Sequence, residues 1–372
     1  MRKIVIRSIA AVASIAAMAS LAACGDNSAA TTSSNGSSSA AGDQISGTFT
    51  GEGATSQEQA IKAWINGYKQ KNPNANISYN GTGSGAGVTK FLSGATAWAG
   101  SDATLKDSEA SQKPSQCAAD ASIFEVPVYI SAIAVVYNIS GLDNSKHIQM
   151  DAATIAKIFD GKITKWNDPA ITSQNPDLAL PDKAITVVHR SEESGTTQDF
   201  TSYLQDAGGQ ENWSYKPAKA WPNKIGQGAE GTSGVSNTVS MGDGTIGYID
   251  ASKIGKLGSV AVKVGDAYVP YSAEAAAKVV DASPLDDSAK SPRVVIKLDH
   301  KTTEANAYPV VLVSYDVVCS AYADANTGKF VKSWLTYEVS DEGQQLAADN
   351  VGSAPMSDTL RAKVTKSIET IK

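Results

Sequence analysis

The chain has 372 residues, 42% of them apolar and 19% charged, with a formal net charge of −6 at pH 7. This length allows two domains with real cores, and the acidic balance argues against a nucleic-acid partner, which calls for a basic face. The overall field does not attract an anion, so an anion site here must work locally, through aimed donors.

Arg2, Lys3 and Arg7 precede a small, apolar run from Ile9 to Leu21, and Leu21-Ala22-Ala23-Cys24 follows. Residues 1–23 read as an export signal. A small-residue cleavage site ending on Cys resembles a bacterial lipobox, which implies cleavage before Cys24 and lipidation of its thiol. An ordinary signal peptide with a chance Cys is the alternative. Behind Cys24, residues 25–44 are mostly Ser, Ala, Gly, Thr and Asn with little apolar bulk, so 24–44 reads as the lipidated Cys and a flexible tether. No second long apolar run suggests a membrane span. Cys117 and Cys319 remain, and in an exported protein an isolated pair reads as a disulfide, here one tying an early segment to a late one. With only three His (His147, His189, His300) and no paired Cys nearby, no metal cluster and no cofactor are expected. Each His reads as an ordinary surface or loop residue.

The fold is expected to begin near Ile45. A strand over 46–50 leads through a turn at 51–56 into a helix whose apolar stripe is Ala60, Ile61, Trp64, Ile65 and Tyr68. Thr55-x-x-Glu58 and Ser56-x-x-Gln59 both match a capping box, which places the helix start there, and Asn72-Pro73 ends it. A strand over 76–79, a Gly-rich turn over 81–87 and a helix through Val88, Phe91 and Leu92 follow. A third strand, 98–102, ends in the carboxylate of Asp102. This alternation predicts a parallel α/β sheet. The apolar run 123–138 reads as strand material crossing between domains. A helix over 151–159 stops at Gly161, and 184–188 reads as a buried strand followed by a helix through Phe200, Tyr203 and Leu204. Residues 235–241 and 244–249 are expected as helix and strand, 281–300 as loop, 308–318 as strand, and 330–337 and 342–348 as closing helices.

Between the strand at 184–188 and its helix lies His189-Arg190-Ser191-Glu192-Glu193-Ser194-Gly195-Thr196-Thr197. A helix N-terminus exposes unpaired N–H groups and the positive end of the helix dipole. Hydroxyls and a guanidinium placed there describe a site for a small oxyanion, for which inorganic phosphate is the hypothesis. Similar turns lead into helices at Thr55 and Ser84. Singly, each is explained by capping. Together, at the carboxyl ends of strands where open α/β sheets bind ligands, they point to one pocket. Asp102 bears on which anion enters it. A carboxylate repels a bare anion but accepts a hydrogen bond from one that carries a proton. Phosphate near neutral pH keeps at least one proton and sulfate keeps none. The mismatch with sulfate is on the order of 1–3 kcal/mol. The alternative is that Asp102 caps the next helix. Arg190 is expected to make a bidentate contact with the anion, with Glu192 or Glu193 fixing its fork; a surface Arg beside two Glu is the alternative.

Other glycine patterns fit less well. Residues 81–86 match the loose dinucleotide pattern, but an exported chain has little access to that cofactor. Gly87-Val88-Thr89-Lys90 fails the Walker A frame, and neither Ser84 nor Ser194 sits in a Gly-x-Ser-x-Gly elbow.

From about Ser46 to the C-terminus the motifs resemble, in order, the PstS family, phosphate-binding lipoproteins of bacterial high-affinity phosphate ABC importers. They are Thr50-Gly51-Glu52-Gly53-Ala54-Thr55, Gly83-Ser84-Gly85-Ala86-Gly87, Gly100-Ser101-Asp102-Ala103, Ile158-Phe159-Asp160-Gly161-Lys162-Ile163 with Trp166-Asn167-Asp168, Arg190 with Ser194-Gly195-Thr196, and Gly244-Thr245-Ile246-Gly247-Tyr248. The resemblance implies an α/β fold of the type II periplasmic-binding-protein kind, two α/β domains with a ligand cleft between them. One domain would be discontinuous, 45–138 plus 308–372, and the other 139–307. It implies phosphate held by the hydroxyl and amide of Thr55, the amide of Ser56, and Ser84, Asp102, Arg190, Ser194, Gly195 and Thr196. Ser56 stands where relatives often carry Phe, and Glu192 where they often carry an Asp that pairs with the Arg. The expected action is binding without catalysis, beside the permease and ATPase subunits of an importer, on the extracytoplasmic face of the cell membrane. A receptor for sulfate or molybdate and an extracellular phosphatase are the competing readings.

Overall fold

The computed structural model describes residues 45–372; the expected leader (1–23), Cys24 and the tether (24–44) lie outside the described residues. Strand β1 (Gly47–Gly53) runs past the expected turn at Gly51 because both its edges are paired. It lies parallel to β2 (Ala75–Gly81) along its whole length and parallel to β3 (Trp98–Ser101) from Gly51 to Gly53. Helix α1 (Glu58–Lys71) buries Ala60, Ile61, Trp64 and Tyr68, four of the five stripe residues, and α2 (Ser84–Leu92) links β2 to β3. After the short α3 (Asp107–Ala110) comes β4 (Ile123–Asn138), buried at every residue but the last.

The next segment contributes β5 (Ile148–Met150), α4 (Ala152–Phe159), α5 (Pro169–Thr172), β6 (Thr186–Arg190), α6 (Gly195–Asp206), β7 (Gln227–Ala229), α7 (Gly231–Met241) and β8 (Thr245–Asp250). Strands β9 (Gly258–Val264) and β10 (Ala267–Val269) and helix α8 (Ala273–Ala282) follow, then β11 (Val311–Cys319), α9 (Ala325–Glu338), α10 (Asp341–Val351) and α11 (Asp358–Ile368). Sequence periodicity missed β5, β7, β9, β10, α8 and α11 and the four-residue α3 and α5. Three-residue strands such as β5 and β10 are too short to show a period.

The strands form one mixed sheet in the order β2-β1-β3-β11-β4-β8-β6-β7, with β9 beside β4 and paired to β5 and β10. This corrects the expectation of a parallel sheet. The pairs β1–β2, β1–β3, β6–β8 and β6–β7 are parallel, but β11 runs antiparallel to β3 and β4, and β4 antiparallel to β8. Each end of the sheet is a strand–helix–strand array, and two long strands turn back through its middle. Residues 123–132 of β4 pair with β11 and 133–138 pair with β8, so one strand serves both halves. Each half carries its own aromatic group. Phe49 stacks on Phe330 at 3.8 Å between centroids, beside Tyr68, Trp98 and Trp334. Phe200 stacks on Tyr248 at 4.3 Å, beside Phe159 and Trp221. His300 is not a surface residue: it is 6% exposed, and its ring Nδ1 lies 2.8 Å from the Pro309 carbonyl.

Cys117 and Cys319 are bonded, with their Cα atoms 5.5 Å apart. The bridge joins the segment before β4 to the end of β11 across 202 residues of sequence. Closing so long a loop restricts the unfolded chain, an effect of about 5 kcal/mol. The double variant Cys117→Ala/Cys319→Ala is expected to lose roughly that much unfolding free energy in a denaturant titration. An unchanged midpoint would remove the bridge from the stabilising interactions.

Asp316 of β11 and Glu338 at the end of α9 are both fully buried, and their carboxyl oxygens lack well-formed hydrogen bonds. Burial raises both above the usual carboxylate range, and the charge of Asp316 raises Glu338 further. The folded chain therefore keeps protons that the unfolded chain releases near pH ~4. Stability from this pair is fully present at low pH and declines as pH rises from there through the raised folded-state values. The ceiling is about 1.4 kcal/mol per pH unit for each proton retained. Glu338→Gln is expected to flatten the fall in unfolding free energy between about pH 5 and 8. Some slope will remain from other buried carboxyls such as Asp250, which burial pushes up to about 6. A variant with the parent's slope contradicts the retained proton.

Candidate anion-binding site

Four helix N-termini meet at the carboxyl ends of β1, β2, β6 and β7, namely those of α1, α2, α6 and α7. Hydrogen bonds join them. Thr55, just before α1, receives Arg190 Nη2–H on its Oγ1 at 2.9 Å and the Thr232 amide at 3.1 Å. The Thr55 and Thr232 hydroxyls are 2.9 Å apart. The Ser84 hydroxyl oxygen accepts the amides of Asp102 at 3.2 Å and Gly195 at 3.1 Å. Gly85 N–H donates to the Glu193 carbonyl at 3.1 Å.

These contacts correct the capping reading at the first helix. The N-cap of α1 is Gln57, with no side-chain cap bond. The hydroxyls of Thr55 and Ser56, expected to cap, are engaged with Arg190, Thr232 and Asp102 instead. Ser84 is the first residue of α2, after Gly83, whose φ of 95° suits glycine; here too the hydroxyl serves a distant partner. Only Ser194 behaves as a cap, accepting the Thr197 amide at 3.2 Å.

Asp102 follows β3 directly and is 3% exposed. It does not cap α3, whose N-cap is Lys106. Its Oδ1 accepts from Ser56 Oγ and Ser314 Oγ, each at 2.6 Å, and its Oδ2 from Thr196 Oγ1 at 2.7 Å. Asp199 lies close enough that, after burial, the charge of Asp102 is the next cause holding its carboxyl well above the usual range. A cavity of about 230 Å³ lined by Asp102, Asp199, His300 and Tyr315 borders this side.

Arg190 ends β6 and is 2% exposed, not a surface residue. Glu192, not Glu193, pairs with it. The pair uses one carboxylate oxygen: Glu192 Oε1 accepts from Arg190 Nε at 2.8 Å and also from Nη2, and takes the Gly231 amide at 3.1 Å. Glu192 Oε2 is buried without a hydrogen-bond partner. The longer acid therefore does not close a fork on Arg190. The Nη1–H points to Thr196 Oγ1 at 3.4 Å. The Tyr248 hydroxyl supports the strand end from below, 2.6 Å from Thr197 Oγ1 and 3.3 Å from the Arg190 amide. Burial pushes that phenol up to about 12.

The structure thus brings Thr55, Ser56, Ser84, Asp102, Arg190, Ser194, Gly195 and Thr196 into one buried cluster. Sequence reasoning missed Gly231, Thr232, Ser314 and Tyr248. The signal for the first two was present, since Gly231-Thr232-Ser233-Gly234 is a Gly- and hydroxyl-rich helix start like the other three. Ser314 interrupts a buried apolar strand, which is a weaker signal. The cluster combines neutral O–H and N–H donors with one guanidinium and two carboxylates, a set suited to a small anion that keeps a proton. Among the described residues, no group of three or more His, Cys, Asp or Glu is placed to hold a metal, and no helix is long and apolar enough to cross a membrane.

The chain matches the model of the PBP superfamily domain over residues 38–342. It is 32% identical over 369 residues to the phosphate-binding protein PstS 3 of Mycobacterium leprae, covering 97% of this chain and 98% of that protein. It is 32% identical over 323 residues to the phosphate-binding protein PstS 2 of Mycobacterium tuberculosis, covering 86% of each. Its fold is similar to that of a high-affinity periplasmic phosphate-binding protein, PfluDING, solved with phosphate; the TM-score is 0.70 at 20% identity, over 86% of this chain and 93% of the other. A phosphate-binding protein from Stenotrophomonas maltophilia superimposes with a TM-score of 0.63 at 20% identity, over 86% and 94%. The chain therefore belongs to the PBP superfamily and, within it, to the PstS family of phosphate-binding proteins.

Proposed function

We propose that this protein captures inorganic phosphate outside the cytoplasmic membrane and delivers it to an ABC importer. The observation that carries this reading is the buried Asp102 carboxylate among hydroxyl donors, opposite Arg190, where four helix N-termini meet. Thr55, the Ser56 amide, Ser84, Arg190, Ser194, Gly195 and Thr196 would donate to the phosphate oxygens, and Asp102 would accept the proton that phosphate retains. The action is binding and release without turnover. Residues 45–138 with 308–372 would act as one jaw and 139–307 as the other, closing over the anion as the segments that cross between them flex. Lipidation at Cys24 would keep the protein beside the permease and ATPase subunits. The family assignment supports this reading, and so does the bonding between Thr55, Ser84 and Asp102 on one side and Arg190, Gly195 and Thr196 on the other.

Titration calorimetry with phosphate and sulfate tests the role of Asp102. The parent protein is expected to prefer phosphate by at least about tenfold. Asp102→Asn is expected to weaken phosphate and to narrow that ratio, because an amide can donate to either anion. Equal displacement by sulfate from the parent contradicts the assignment, and turnover of a phosphate ester contradicts pure binding.

Gly195 tests the closed geometry. A Cβ at this position would sit 2.6 Å from the Ala103 amide nitrogen and from Ser84 Oγ, and 2.7 Å from Asp102 Cβ. Such contacts wedge the two sides apart. Gly195→Ala is expected to lower phosphate affinity about a hundredfold or more while shifting the thermal midpoint by only a few degrees. Unchanged affinity would show that this approach is not needed for binding.

A further inference from the structure

Ser56 and Ser314 reach Asp102 from different parts of the chain, one from the loop before α1 and one from β11. Both hydroxyls lie 2.6 Å from the same oxygen, Oδ1. A carboxylate oxygen only accepts, so both serines donate. Two donors fill the lone pairs that an sp² oxygen offers. Oδ2 receives a single donor, Thr196 Oγ1, and keeps room for one more. The two carboxylate oxygens are thus unequal, one saturated by protein and one still able to accept.

The placement of both serines is specific. Ser314 is fully buried in a strand of Val, Leu and Tyr neighbours, where a hydroxyl is costly unless bonded, and Asp102 is its side-chain partner. It sits where the β11–β4 register shifts, between Ser314 and Tyr315. Such an irregularity re-aims a side chain. Ser56 is 1% exposed, and its hydroxyl is engaged with Asp102 rather than capping α1.

We propose that Ser56 and Ser314 are specificity-determining positioning residues, which saturate Asp102 Oδ1 so that Oδ2 alone presents an acceptor to the bound anion. The inference rests on the reading that phosphate binds at Asp102. An acceptor that cannot rotate away penalises an anion without a proton and rewards one that has it. Without the two hydroxyls the carboxyl keeps one donor, on Oδ2, and is free to turn, so neither oxygen is held as a fixed acceptor toward the anion. Discrimination then falls further than phosphate affinity does.

Calorimetric titration of phosphate and of sulfate into the purified mature protein separates the possibilities. Ser56→Ala/Ser314→Ala is expected to lower the phosphate-to-sulfate affinity ratio at least about tenfold, more than it lowers phosphate affinity itself. Each single Ala variant is expected to fall part way, and Ser56→Thr, which keeps the hydroxyl, to hold the parent ratio. The single Ser56→Ala variant, altered in a loop, decides the matter if the double variant does not fold. A parent-like ratio in the folded Ala variants overturns the positioning role and leaves phosphate binding intact. A parent protein that does not distinguish the two anions overturns the phosphate reading and this inference with it.

Discussion

The carboxylate of Asp102 is the charge on which the arrangement depends. It is nearly excluded from water, and a buried carboxylate is tolerable only when its lone pairs meet donors. Those donors come from residues 56, 196 and 314, three segments far apart in the chain. Meeting the needs of one side chain therefore fixes the relation between the loop before α1, the start of α6 and the middle of β11. Arg190 does the same from the other side, reaching Thr55 across 135 residues of sequence while Glu192 and Tyr248 hold it from its own half.

This economy explains how an acidic protein can offer an anion site. The cluster contains one guanidinium and two carboxylates, so its formal charge does not favour an anion. The attraction must come from oriented neutral groups: hydroxyls, amides and the starts of four helices. Oriented dipoles also discriminate better than bare charge. A lysine-rich pocket would accept any oxyanion, whereas a fixed acceptor among fixed donors distinguishes a ligand that carries a proton from one that does not.

The architecture was legible where the physics is local. The apolar stripe of α1, the buried run that became β4, the strand–helix alternation at both ends of the sheet and the Ser194 cap all follow from residue spacing. The capping boxes at Thr55 and Ser56 were misread because a capping pattern records only that a hydroxyl lies near a helix start. Whether the hydroxyl turns to its own helix or to a distant partner depends on what the fold brings within 3 Å. The same limit explains the parallel-sheet expectation. The pattern at each end is parallel, and nothing in the letters of β4 and β11 states which way they run beside their neighbours.

The site divides along the same line. The letters alone say which chemistries are available: hydroxyl-rich helix starts, one Arg at a strand end, one Asp at another and an isolated Cys pair. Those properties reside in residue type and short spacing. It takes the folded chain to bring Thr232 to Thr55, Glu192 to Arg190 through one oxygen, and Ser314 and Ser56 to the same Asp102 Oδ1. Hydrogen bonds reach about 3 Å, and the packing of the sheet halves, not proximity along the chain, sets which groups come that close.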